Sequence, residues 1–158
     1  MTDDERPQQD PTPLPDCYTC SQESRLATAP AAEKVHVGEF WRVALAVGSA
    51  LPGWVVVVPR RHVISLAELT DAEALELGPL LIKVSRALEA VTGTEKVYLM
   101  QFAEAEGFAH VHVHVTPRSP DPEHRGPRVF AYLNRPDAKT PAEQEPLALR
   151  LRDALALA

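Results

Sequence analysis

Hydrophobic and polar residues alternate along several short stretches of this chain, which is the pattern of β-strands with one buried face. The alternation predicts strands at 34–37, 40–47 and 96–102. The continuous apolar run 54–58 predicts a central strand covered on both faces. Glycine, serine and proline in the stretch 48–53 predict a turn immediately before this central strand.

The sharpest alternation joins histidine to valine, in the run 110–115, which reads His-Val-His-Val-His-Val. Successive side chains of a strand point to opposite faces, so we expect the valines in a core and the histidines in a row, about 6.5–7 Å apart. Because histidine is both a metal ligand and a proton carrier near neutral pH, such a row indicates a functional site.

Helical periodicity is found in two longer stretches. Thr70 and Glu73 predict a capping box ahead of a helix that runs to about Val91, and Pro79 inside it predicts a kink or a break. Pro141 begins a last helix. Together these patterns predict an α+β fold: an antiparallel meander of about five strands, with a main helix and a C-terminal helix on one face.

Composition along the chain predicts how it is organised. Residues 1–15 are rich in proline and acidic residues and almost free of apolar ones, which predicts a disordered N-terminal arm. Residues 16–118 carry the predicted strands and the main helix and form the expected domain. Residues 119–158 predict a proline-rich connection and a C-terminal helix that packs on this domain.

Net charge and hydropathy limit the kinds of partner that the protein is expected to bind. The net charge of −6 does not favour general binding to nucleic acid or membrane surfaces. No apolar run approaches the ~18–20 residues that span a bilayer, and the start of the sequence does not have the pattern of a signal peptide. We therefore expect a cytoplasmic protein that partners neither nucleic acid nor membrane.

The only two cysteines, Cys17 and Cys20, form a Cys-x-x-Cys pair. In a reducing compartment this spacing indicates a metal site or a redox pair, and the pair alone does not decide between zinc and free thiols. Tetrahedral zinc requires two further ligands, for which His62 and His110 are candidates. Two thiolates and two neutral imidazoles would balance the charge of the ion.

The run 110–115, continued by Thr-Pro-Arg at 116–118, resembles the histidine triad (HIT) motif of nucleotide hydrolases and transferases. Pro52-Gly53 before the central strand and Pro-Arg-Arg-His-Val at 59–63 after it are similar to the same family, so the resemblance covers about residues 17–118. Met100-Gln101 and the triad are most similar to the diadenosine-polyphosphate-hydrolysing (fragile histidine triad) branch. The cysteine pair is similar to that of bacterial zinc-containing HIT proteins.

This resemblance implies a HIT-like fold, a homodimer, and cleavage of a nucleoside phosphoanhydride or phosphoramidate through a nucleotidyl-histidine intermediate. It implies that His112 is the nucleophile, that His114 contacts the phosphate or leaving group, and that Gln101 binds phosphate. No free divalent ion is then needed for the chemistry. The implied ligands of a structural zinc are Cys17, Cys20, His62 and His110.

The sequence departs from the family pattern at three places. Gly107 stands where a serine or threonine phosphate donor is usual, Trp54 stands where histidine is common, and residues 41–54 contain no amide or carboxylate to bind a ribose. Two alternatives remain open, the first because of the geometry of histidines two apart on a strand and the second because of these departures. One is a hydrolase in which His110, His112 and His114 together hold a catalytic zinc, and the other is a nucleotide-binding protein of this fold with little or no turnover.

Overall fold

The computed structural model describes residues 14–158, so nearly all of the predicted N-terminal arm lies outside the described residues. One antiparallel sheet contains five strands: β1 His36–Val37, β2 Trp41–Leu45, β3 Val55–Pro59, β4 Val97–Gln101 and β5 Val113–Pro117. The α-helices are α1 Tyr18–Ser24, α2 Asp71–Thr92 and α3 Pro141–Leu157. None of the helices within residues 14–158 has the length and apolar character to cross a membrane. The predicted α+β class is confirmed.

The strand order is β1-β2-β3-β5-β4. The predicted meander holds for the first three strands and then changes, because α2 carries the chain across the sheet and β4 takes the outer edge. Strand β5 consequently lies between β3 and β4, with His114 opposite Val56 on one side and Met100 on the other. The histidine-bearing strand is therefore braced by a strand on either side.

Helices α2 and α3 cover one face of the sheet. Val113 and Val115 of β5 are buried there, in one cluster with Val84 and Leu88 of α2 and Leu151 of α3. Each fully buried aliphatic side chain of this kind contributes about 1.5–3 kcal/mol to folding. The predicted valine core face is thus confirmed, and the histidine face is left for the opposite side of the sheet.

Helix α2 begins at the predicted capping box, in which Thr70 accepts from the backbone of Glu73 and the Glu73 side chain accepts from the backbone of Thr70. It ends at Gly93, whose φ of 71° is left-handed. Pro79 does not divide the helix. This proline lies on the exposed side of α2, where water can bond the carbonyl that loses its helical partner.

The cysteine pair does not lie in an isolated tight turn, as the sequence suggested, because Cys17 is the N-cap of α1. A helix of seven residues has little stability of its own. The fully buried Arg42 of β2 holds it: its Nε lies 3.0 Å from Glu23 Oε2 and its Nη2 lies 3.4 Å from Gln22 Oε1. Tertiary contacts therefore set the position of α1 on the histidine side of the sheet.

The C-terminal connection is more ordered than its proline content predicts. It contains two 3-10 helices, Pro122–His124 and Gly126–Tyr132. Val129 of the second is fully buried in a cluster with Trp54 and Ala46, on the histidine side of the sheet. This connection therefore supplies part of the wall around the histidines, while α3 packs against α2 on the other side.

Candidate functional site

Four candidate metal ligands converge at the start of the histidine run. One ligand atom from each of Cys17, Cys20, His62 and His110 lies within 4.8 Å of the other three. His62 Nδ1 and His110 Nδ1 are 3.2 Å apart, and Cys20 Sγ lies 3.3 Å and 3.7 Å from these two nitrogens. Tetrahedral zinc with ordinary bond lengths places its ligand atoms about 3.3–3.8 Å apart. The cluster therefore fits zinc in both donor type and spacing.

His110 is oriented for this cluster by its second nitrogen. Its Nε2 donates to the carbonyl of Pro59 at 2.9 Å, which leaves the Nδ1 lone pair for the cluster. Burial lowers the pKa of His110 to about 4, which favours the neutral imidazole that binds metals. Burial also raises the pKa of the Cys20 thiol, so a thiolate is favoured there only beside a cation.

A cavity of about 490 Å³ lies beside the cluster, on the face of the sheet opposite α2 and α3. His112 and His114 line it, and most of its other lining is apolar or aromatic. The walls come from α1, from β2 and β3, from the loop before the histidines and from the C-terminal connection. A largely apolar cavity with a few polar groups is typical of a small-molecule site.

One ring nitrogen of His112 is held in a hydrogen bond to the backbone. Its Nδ1 donates to the backbone carbonyl of His110 at 2.8 Å, so the neutral ring carries its lone pair on Nε2. The rings of His112 and His114 pack edge to face, with centroids 4.8 Å apart. An imidazole whose far nitrogen is held as a donor is arranged to act as a nucleophile.

In His114, Nδ1 accepts a hydrogen bond, whereas in His112 it donates one. The donor to His114 is Nε1 of Trp54, at 3.0 Å. Burial is the main cause that lowers the pKa of His114 to about 4, and the neighbouring His112 lowers it further. His114 is therefore neutral near pH 7.

The comparisons with known proteins agree with this geometry. The HIT domain family model matches residues 31–121, more than half of the chain. The chain belongs to the histidine triad (HIT) family. Comparison with the curated proteins finds no match.

Solved structures from several organisms share this fold. A zinc-bound histidine triad family protein from Mycobacterium smegmatis is 20% identical, with a TM-score of 0.65, over 89% of this chain and 94% of that one. A hypothetical histidine triad nucleotide-binding protein from Sulfolobus tokodaii is 18% identical, with a TM-score of 0.66, over 87% of this chain and 93% of that one. A Streptococcus mutans protein is 27% identical over 73% of both chains, with a TM-score of 0.60.

Gln101, the expected phosphate ligand, is not brought to the HIT cavity. It pairs with Val113 across β4 and β5, and residues directly opposite in a sheet share a face. Val113 packs on the helix side, whereas Met100 shares the face of His114. Gln101 therefore lies away from His112 and His114, and the phosphate contact expected of it has no support in this geometry.

The loop before the histidines has only backbone atoms to offer at position 107, where the family pattern has a serine or threonine donor. Gly107 has a left-handed φ of 77°, and its carbonyl accepts from the backbone N–H of Tyr18 at 3.0 Å. This bond ties the loop to the start of α1, and Tyr18 and Phe108 on either side of it line the cavity. The loop thus joins the metal cluster to the cavity wall.

Asn134 is a cavity residue that the sequence did not reveal. It lies in the C-terminal connection with a left-handed φ of 55°, and its backbone N–H donates to the carbonyl of Gly48 at 2.8 Å. This contact brings an amide to the end of β2, the region whose sequence contains none. No local pattern marks the contact, because it depends on a carbonyl more than eighty residues away. His124, bonded to Asp121 at 2.8 Å, does not line the cavity.

Proposed function

We propose that this HIT protein is a nucleotidyl hydrolase or transferase that cleaves a nucleoside phosphoanhydride or phosphoramidate, as dinucleoside polyphosphate hydrolases do. The proposal rests on His112, whose Nδ1 is held by the carbonyl of His110 while the ring lines the cavity. A free Nε2 lone pair in an apolar cavity is the requirement for attack on phosphorus.

In the first step, Nε2 of His112 forms a bond to the nucleoside-bearing phosphorus. The bond from phosphorus to the leaving oxygen or nitrogen breaks, and the leaving group takes the electron pair. In the second step, water attacks the same phosphorus and loses a proton to solvent, the phosphorus–nitrogen bond breaks with its electron pair returning to Nε2, and nucleoside monophosphate leaves with the imidazole restored. The two steps divide one difficult displacement into two easier ones.

The lining of the cavity suits a nucleoside. Phe102, Phe108 and Phe130 offer aromatic surface for a base. Asn134 offers the amide expected to bond a sugar hydroxyl, in place of the missing side chain on β2. His114 offers a neutral donor for a phosphate oxygen.

We propose that the Cys₂His₂ cluster holds one structural zinc ion. Cys17, Cys20, His62 and His110 would be its ligands, which fill a tetrahedral shell and leave no position for substrate. Zinc supplies cross-linking there, since it joins α1 to the segment after β3 and to the histidine run. The chemistry at His112 requires no free divalent ion, and the expected compartment is the cytoplasm.

The expected assembly is a homodimer. Strand β4 is at the edge of the sheet, and α2 exposes Leu75 and Ile82, one above the other by two helical turns. Exposed leucine and isoleucine on one face of a helix favour an isologous contact.

The test is a panel of dinucleoside polyphosphates and adenosine phosphoramidates, followed by phosphorus NMR, with mass spectrometry of acid- and base-quenched reactions. We expect nucleoside monophosphate as a product and a base-stable nucleotidyl adduct on the peptide that contains His112. Binding by calorimetry without any product would instead favour the nucleotide-binding alternative. Activity that is lost to chelators and restored by zinc, with no adduct, would favour a metal-bound water.

A further inference from the structure

Trp54 lies directly behind His114 and is almost completely buried, with 1% of its surface exposed. Its Nε1–H donates to His114 Nδ1 at 3.0 Å, and within residues 14–158 this nitrogen has no other acceptor. An indole N–H can donate a hydrogen bond but cannot accept one. The contact therefore has a fixed direction.

The indole is held in place by packing rather than by the histidine. Trp54 is clustered with Ala46, Leu51 and Val129, and its ring meets Phe130 edge to face at a centroid distance of 5.7 Å. These neighbours come from two separate parts of the chain, 46–51 and 129–130. The direction in which the indole N–H points is consequently set by the fold before any ligand binds.

We infer that Trp54 is a positioning residue that holds His114 as the neutral tautomer protonated on Nε2. The indole hydrogen occupies the lone pair of Nδ1, so the single hydrogen of the neutral ring is on Nε2. A doubly protonated ring would place a second hydrogen on Nδ1, directly against the indole N–H. His114 is then a hydrogen-bond donor that keeps its proton throughout turnover.

Two neighbouring histidines of one run are therefore fixed in opposite tautomers. The carbonyl of His110 keeps the hydrogen of His112 on Nδ1, and Trp54 keeps that of His114 on Nε2. Resting on the proposed function, this assigns His114 to binding a phosphate or leaving-group oxygen through Nε2–H. The proton that the leaving group takes up must come from solvent or another group.

The inference is tested by nitrogen NMR of protein labelled with ¹⁵N-histidine, near neutral pH and without substrate. The two-bond couplings of each ring distinguish the Nδ1–H tautomer, the Nε2–H tautomer and the imidazolium. The spectrum of His114→Asn identifies the His114 signals. We expect a single Nε2–H tautomer at His114 in the unaltered protein, and either the Nδ1–H tautomer or imidazolium there would overturn the inference.

The chain offers a matched control, because its second tryptophan is also buried and also donates its indole hydrogen. Trp41 lies on the helix side of the sheet, where its Nε1 bonds the carbonyl of Glu73 at 2.7 Å. Trp54→Phe should give His114 a mixture of tautomers, whereas Trp41→Phe should leave the His114 signals unchanged. A pure Nε2–H tautomer that persists in Trp54→Phe would contradict the inference.

Kinetics give a second measurement if the proposed activity is found. Trp54→Phe should lower kcat about tenfold with KM changed less than about twofold, since the donor at His114 is lost in a fraction of molecules. Trp41→Phe should leave kcat unchanged, whatever it does to stability. An unchanged kcat in Trp54→Phe would overturn the assigned role of the tautomer. The NMR result does not depend on turnover, so failure of the tautomer inference can be distinguished from failure of the proposed function.

Discussion

The Cys₂His₂ cluster and the cavity use histidines only two residues apart in the chain, His110 and His112, yet the surroundings of these two side chains differ. In the cluster, four ligand atoms face one another in a buried space that one ion would fill. In the cavity, two imidazoles face an apolar space large enough for a small molecule. The cluster thus has room for one ion, and the cavity has room for a small molecule.

The difference between these regions arises from the atom that holds the second nitrogen of each ring. The carbonyl of Pro59 holds Nε2 of His110, the carbonyl of His110 holds Nδ1 of His112, and Trp54 holds Nδ1 of His114. Alternation in a strand places side chains on one face, but it does not set their chemistry. Under the proposed function, these three identical residues would act as a ligand, a nucleophile and a donor.

The largest effect should come from His112→Asn, which removes the proposed nucleophile. We expect kcat to fall by at least about 10³-fold, while zinc content and melting temperature remain those of the unaltered protein. His114→Asn should slow turnover less, because it removes one donor and leaves the nucleophile. Full activity in His112→Asn would refute the division between the two regions.

Loss of the cluster should affect stability before chemistry. Removing the two thiolates with Cys17→Ser and Cys20→Ser should release about one zinc per chain and destabilise the fold by roughly 3 kcal/mol or more. Metal analysis and thermal melting measure both, and His110→Asn should reproduce the result. A zinc-free double variant that melts at the original temperature would remove the structural role of the metal.

Lowering the pH should destabilise the fold through His114 in the cavity. Its pKa is about 4 in the folded protein and 6.5 in the unfolded reference, so the unfolded chain binds more protons between these values. Stability should therefore fall as pH decreases from about 6.5 to 4, by at most about 3 kcal/mol from this group.

The measurement for this pH dependence is the melting temperature at several pH values. His114→Gln should show a shallower decline than the unaltered protein, because both retain every other titrating group, including those of the cluster. His124→Gln is the control outside the cavity and should decline as steeply as the unaltered protein. Parallel curves for all three proteins would contradict the prediction.

The smallest effect should come from Asn134→Gly, which removes the amide and suits the left-handed backbone at this position. We expect KM for a nucleoside substrate to rise about three- to tenfold, as for the loss of one hydrogen bond, with kcat within about twofold. A 2′-deoxynucleoside substrate should show a smaller difference between the two proteins. Equal KM values for the ribonucleoside substrate would exclude Asn134 from sugar binding.

Patterns within single elements were sufficient to predict five strands, the valine core and α2, but not the exchange of β4 and β5 in the strand order. Alternation predicted a histidine strand from residue 110, whereas β5 begins at Val113. The backbone N–H of Val111 bonds the carbonyl of Val63, outside the sheet, and His110 turns into the cluster. Local alternation cannot show where a strand leaves its partners.

The candidate site was predicted in part. The structure brings together the four expected ligands, and it places His112 and His114 in one cavity. Sequence analysis missed the helix that carries the cysteines, which Arg42 holds, and the cavity residues of the C-terminal connection. These positions depend on contacts between distant segments, and no periodicity within either segment encodes them.

The two residues between the cysteines, Tyr18 and Thr19, line the cavity. Under the proposed function, zinc at the cysteines and nucleotide in the cavity would therefore contact the same short piece of backbone. If zinc tightens nucleotide binding by some factor, nucleotide must tighten zinc binding by the same factor. A change in zinc affinity when the cavity is filled would accordingly reveal this linkage, and the structural ion would then report on whether substrate is bound.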